Sequence, residues 1–308
     1  MEKRQQELQF LGFFGILKES FKLIFSKSKL FTQITLTLIL PLSIILHLHQ
    51  YFSSAFSSKA HIHSILREFS YYLVILIPSL LSTSAIVCTI TFLYTAKDVT
   101  FKKIRGMLPK IWKRVMITFT LSFAIQFCYG NFIGRVVVWL VQLLLPGPVN
   151  ARDFFNTKSV TGIIILFLYI SGYVYMQIIQ NLATVVSVIE DLSGIKAMIK
   201  SKNLLKGKTG VAFFVWLLFR CCYAVIDDRI YNIFWGPDDG LNWRNGVGIG
   251  IPCFILLHSI MSLLDFVVET VIYFSCKAHE VKMRVLTTQS HQINFKSIWW
   301  NVLDPLME

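Results

Sequence analysis

Three charged side chains in this 308-residue sequence, Arg220, Asp265 and Glu269, fall inside long apolar runs. Inserting such a group into a bilayer costs about 2.5–3.5 kcal/mol, so each needs a partner or a function. His258, Ser262, Asp265 and Glu269 recur at steps of four, three and four, which places them on one face of a helix. Gln177 and Asn181 stand one turn apart in another run. Counted from their basic flanks, Arg220 and Asp265 are each eleven residues deep, or about 16 Å at the helical rise. The spacing therefore predicts an Arg220–Asp265 ion pair, with Gln177 at similar depth. Arg220, Asp265, Glu269, His258, Gln177 and Asn181 form a predicted polar layer with two readings. It is a hydrogen-bonded network that fixes helix packing, or a proton or cation pathway in which Glu269 has no obvious basic partner.

Other chemistry is thinly represented. His47-Leu-His49 and His61-Ile-His63 gather four imidazoles, but an i, i+2 pair shares a face only on a strand and no acidic or Cys ligand has the usual spacing. No metal site is assigned, and no cofactor. Gly246, Gly248 and Gly250 precede Pro252 without a preceding strand, so they are not a dinucleotide loop. The six cysteines contain no C-x-x-C; five lie in apolar runs, and Cys276, beside a span, is a palmitoylation candidate. No Ser-His, Asp-Asp or metal-ligand set is apparent, so no catalytic role is expected.

The elements that hold these residues follow from composition. The chain is 55% apolar and 15% charged, against about 45–50% and about 25% for soluble domains. A helix of about 20 apolar residues crosses a hydrocarbon core, and six stretches qualify: about 30–48, 71–96, 115–134, 162–189, 209–226 and 247–276. The fold expected is all-α, a polytopic bundle of six transmembrane helices. Residues 1–29 form an amphipathic arm, 30–276 the membrane domain and 277–308 a tail, in which Trp299 and Trp300 suggest a return to the interface. Arg135 is followed by a short apolar run to Leu145, read as a helix extension or an interfacial segment.

Twenty-two of the thirty Lys and Arg fall in the N-terminal arm, the second and fourth connections and the tail; the other three connections hold six. That asymmetry places both termini in the cytosol. It also accounts for the net charge of +13 without nucleic acid, leaving the bilayer and its anionic cytosolic-leaflet lipids as partners, with membrane-protein partners possible. Basic amphipathic segments precede the first, third and fifth spans: Phe10 to Phe25, Phe101 to Ile111 and Ile195 to Leu205. Pro109 should bend or end the second. This spacing suggests a threefold unit of interfacial helix plus hairpin. In the third segment, Lys196, Lys200, Lys202, Lys206 and Lys208 are candidate headgroup contacts. Gly194, Ala197 and Ser201 form a small-residue stripe for close helix approach, with Asp191 or Ser193 as its cap, matching Asp98 and Thr100 upstream.

Glu7 to Leu11 (ELQFL), Lys18-Glu19-Ser20, Pro109 to Arg114 (PKIWKR) and Val185 to Lys208 (VVSVIEDLSGIKAMIKSKNLLKGK) resemble a plant family of uncharacterised six-span integral membrane proteins. The last stretch distantly resembles the membrane domain attached to some bacterial glycerophosphoryl diester phosphodiesterases. The resemblance implies a helical membrane domain and no activity, since that catalytic domain is a separate soluble barrel. The function expected is a non-enzymatic membrane-embedded scaffold or membrane organiser, the alternative being an ion- or proton-coupled transporter or channel using spans four to six.

Overall fold

A computed structural model of the chain describes residues 12–55, 61–95, 101–144, 157–235 and 250–287. Among them every regular element is a helix. In chain order these are α1 Phe13–Ser26, α2 Ser28–Ile34, α3 Leu40–Ala55, α4 His61–Thr95, α5 Phe101–Cys128, α6 Gly134–Leu144, α7 Thr157–Ile189, α8 Ile195–Leu205, α9 Thr209–Trp235 and α10 Ile251–Thr287. Among the described residues, six stretches are long and apolar enough to cross a membrane: Ser28–His49, Val74–Thr95, Phe101–Leu140, Val160–Ile189, Thr209–Arg229 and Ile251–Val281. The expected Asp98 and Thr100 cap, Gly246, Gly248 and the Trp299–Trp300 tail lie outside the described residues. So do the side chains of His61 and His63.

Two spans contain a π turn. Thr35–Ile39 joins α2 to α3 two residues before Pro41. A proline ring collides with the carbonyl four residues back and leaves it without a donor, and the wider turn takes up that mismatch. Tyr129–Ile133 joins α5 to α6, so the run after Arg135 extends the third span. Here α5, α6 and α7 meet closely, because Tyr129 and Tyr169 stack at 5.2 Å and Tyr129 Oη donates to the Tyr169 carbonyl at 3.0 Å.

Pro109 does not end its helix. It lies inside α5, which runs unbroken from the basic segment into the third span. The carbonyl it deprives belongs to Arg105, which is exposed at the end of the bundle where solvent or headgroups can satisfy it. The three basic segments therefore differ: the first and third are separate helices, α1 and α8, while the second is fused to its span.

Helix α10 is the hub, packing on α1, α3, α4, α7, α8 and α9. Its residues Val267, Val268, Val271, Tyr273 and Ala278 are fully buried, as are Ala85, Ile86, Val87 and Ile90 of α4 and Ala183, Val185 and Val186 of α7. The core thus sits in the half of the bundle nearest the basic segments. Lipid tails are as apolar as these side chains, so close packing rather than escape from water must hold the spans together. Accordingly the buried part of α4 carries small hydroxyl residues. Ser82 donates to the Pro78 carbonyl and Thr89 to that of Ala85, both at 2.7 Å, which satisfies the hydroxyls without separating the helices.

At the start of α8 the expected side-chain cap is absent. Gly194 is the N-cap, with φ +60° and ψ −130°, and neither Asp191 nor Ser193 caps it. Asp191 pairs with Arg114 instead, and the Gly194 N–H donates to Thr118 Oγ1 at 2.8 Å. Thr118 also meets Ser187 at 2.7 Å, tying α5, α7 and α8 at one point. The stripe Gly194, Ala197 and Ser201 is buried, and Ser201 donates to the Ile179 carbonyl at 2.8 Å, so α8 lies flush on α7.

Candidate functional site

The polar residues of the inner spans form a track rather than a flat layer. At its end nearer the basic segments, Asn181 Nδ2 on α7 donates to Glu269 Oε1 on α10 at 2.6 Å. One turn away Arg220 Nη2 on α9 lies 3.6 Å from Asp265 Oδ2, so the two groups matched by depth do meet. Arg220 is 46% exposed on the outer face of α9, between the rings of Trp216 and Tyr223, whereas Asp265 is 14% exposed. The aromatic faces help to hold a cation that lacks water around it.

From Asp265 the track continues away from the basic end. Tyr223 Oη lies 3.5 Å from Asp265 Oδ2 and 3.3 Å from Ser262 Oγ; Ser262 lies 3.5 Å from His258 Nδ1, and that nitrogen is 3.2 Å from Ser43 Oγ. His258 in turn packs edge-to-face on His47 at 4.7 Å. The helical face predicted for His258, Ser262, Asp265 and Glu269 therefore points inward, and Tyr223 and Ser43 complete it. Gln177 does not join: its amide donates to Tyr173 Oη at 3.4 Å, one turn back in α7. The neighbouring Gln180 reaches Ser122 of α5 at 3.2 Å, on the opposite side of α7.

Asp265, Glu269 and Asn181 border a cavity of about 30 Å³ between α7, α9 and α10, otherwise lined by apolar groups including Trp216 and Ile272. That volume holds about two water molecules. A proton or a small cation fits; an organic solute does not.

A second ionic cluster lies at the basic end. Glu190 Oε1 accepts from Lys277 Nζ at 2.7 Å and from Tyr273 Oη at 2.8 Å. Lys200 pairs with Glu280 at 3.0 Å, and Lys208 Nζ reaches Ser275 Oγ. Partial burial holds the Lys208 ammonium below its ordinary value, with Cys276 opposing that shift. Two of the five candidate headgroup lysines are thus turned inward onto α10, while Lys196, Lys202 and Lys206 remain exposed. This cluster is not apparent in the sequence, because charge just beyond a span is ordinary and nothing local distinguishes Glu190 or Lys277 as buried.

The sequence also conceals a third grouping. His47, Asp227 and His258 bring one ligand-capable atom each to within 4.8 Å of one another. They come from α3, α9 and α10 and are 180 and 31 residues apart in sequence, beyond the reach of any spacing rule. Depth points to them, since His47, Asp227 and His258 lie 17, 18 and 18 residues from Leu30, Thr209 and Cys276, the basic ends of the spans expected from the sequence.

A family model described as a domain of unknown function (DUF8558) matches residues 1–65 and 54–284 of the chain. No curated protein and no solved structure matches it.

Proposed function

We propose that this chain, which belongs to the DUF8558 family, is a non-enzymatic multi-pass membrane protein whose basic end grips the anionic headgroups of the cytosolic leaflet, acting as a membrane-embedded scaffold or organiser. One observation carries this reading. Among the described residues of that end twelve Lys and Arg side chains are exposed, against a single exposed carboxylate, Asp191, which Arg114 already occupies. Beside them α1 turns Phe14, Phe21 and Phe25 outward while burying Ile16, Ser20 and Leu23 on the bundle. A helix so placed sits at headgroup depth, rings in the acyl boundary and lysines among the phosphates. Each basic group near such a surface contributes about 1 kcal/mol.

The test is lipid retention. Full-length protein extracted from mixed phosphatidylserine and phosphatidylcholine bilayers should carry phosphatidylserine preferentially by native mass spectrometry. Changing Lys196, Lys202 and Lys206 together to Gln should reduce that preference severalfold. Equal retention of the two lipids by the unaltered protein contradicts the reading.

A second reading rests on the cavity beside Asp265 and Glu269. Two carboxylates at mid-span, Glu269 held by Asn181 and Asp265 linked to Tyr223, Ser262 and His258, are the parts a proton or small-cation carrier needs. Proteoliposomes should then show a pH-driven flux that Glu269→Gln abolishes; an unchanged flux removes this reading.

A further inference from the structure

We propose that His47, Asp227 and His258 form a divalent transition-metal site at the end of the bundle opposite the basic segments. Three observations converge. One ligand atom from each residue lies within 4.8 Å of the other two. His47 and His258 are 6% and 8% exposed, and Asp227 is half-buried, so the cluster is enclosed by α3, α9 and α10. Counted from Leu30, Thr209 and Cys276, the basic ends of the spans expected from the sequence, the three residues also sit at one depth, about 27 Å at the helical rise, where a bilayer gives way to water. An ion could enter there without crossing hydrocarbon.

The chemistry selects the ion. Two neutral imidazoles and one carboxylate suit Zn²⁺ and its neighbours Co²⁺ and Ni²⁺, whereas Mg²⁺ and Ca²⁺ prefer oxygen donors throughout. A tetrahedral ion with bonds of about 2.0–2.1 Å places its ligand atoms about 3.4 Å apart, so side-chain rotations of about 1.4 Å at most would close the site. A fourth position stays open to water. Ser43 Oγ, 3.2 Å from His258 Nδ1, supplies the outer contact that fixes a ligating imidazole, leaving Nε2 its lone pair. Arg220, the nearest cation along the track, is balanced by Asp265, so the site retains the negative charge of Asp227.

Tag-free full-length protein in detergent, titrated with Co²⁺ alone, tests this. The expected result is one equivalent bound, with the visible absorption of a four-coordinate centre, displaced by Zn²⁺. His258→Ala and Asp227→Asn should each weaken binding by more than about 100-fold, Ser43→Ala by about 10-fold, and His49→Ala not at all. Binding that survives both ligand changes, or no stoichiometric binding, overturns the proposal. Should the ligand variants fail to fold, X-ray absorption of the zinc-loaded unaltered protein decides: two imidazoles in the coordination shell support the site, and none overturns it.

Discussion

Glu190, at the boundary of α7, accepts a 2.7 Å bond from Lys277 of α10, with the two side chains only 12% and 9% exposed. A buried pair of this kind contributes little in total, yet removing one partner strands a charge and costs about 3–5 kcal/mol. Glu190→Gln or Lys277→Met should therefore lower the thermal unfolding temperature in detergent sharply. The double change to Leu should cost less than either single one. Equal losses for all three would show that the pair is not coupled.

Arg220 and Asp265 meet less intimately, at 3.6 Å with Arg220 half-exposed. A coupling of about 1 kcal/mol is expected from a double-mutant cycle of Arg220→Gln and Asp265→Asn. The charge swap Arg220→Asp with Asp265→Arg should recover part of what each single change loses.

Glycine at 194 holds φ +60° and ψ −130°, the mirror-β region that only a residue without Cβ occupies readily. Gly194→Ala should cost about 1–3 kcal/mol from backbone strain. Its Cβ would lie at ordinary distance from Ile117, 3.4 Å, so steric collision adds little. Gly210, which has open space and an ordinary backbone, should tolerate Ala within about 0.5 kcal/mol. Unfolding measurements on the two variants distinguish strain from general sensitivity.

Close packing of α8 on α7 rests on Ala197, fully buried in the stripe. Ala197→Leu inserts methylenes where there is no room and should cost about 1–3 kcal/mol. If stability is unchanged, α8 is not seated on α7 as described.

The spans were legible because the length of an apolar run is set by bilayer thickness, and the Arg220–Asp265 pair because depth along antiparallel helices is a countable quantity. The inward face of α10 was legible from its four-three-four spacing. Rotation of one helix against another was not: Gln177 and Asn181 are one turn apart, yet only Asn181 reaches α10. Lys200 and Lys208 look like their exposed neighbours until Glu280 and Ser275 are brought opposite them by tertiary packing. Of the two outcomes expected at Pro109, a bend or an end, the end does not occur, because the carbonyl it deprives, that of Arg105, lies at an exposed end where it can be solvated.

Lysine and arginine crowd one end of the bundle, and the account stands on that end facing the cytosol. Single glycan-acceptor sites introduced near Ser57, Asn156 and Asp238 should be modified when the full chain is made in microsomes, and sites near Lys103 and Lys202 should not. Glycans at Lys103 or Lys202, with none on the other three segments, would contradict it.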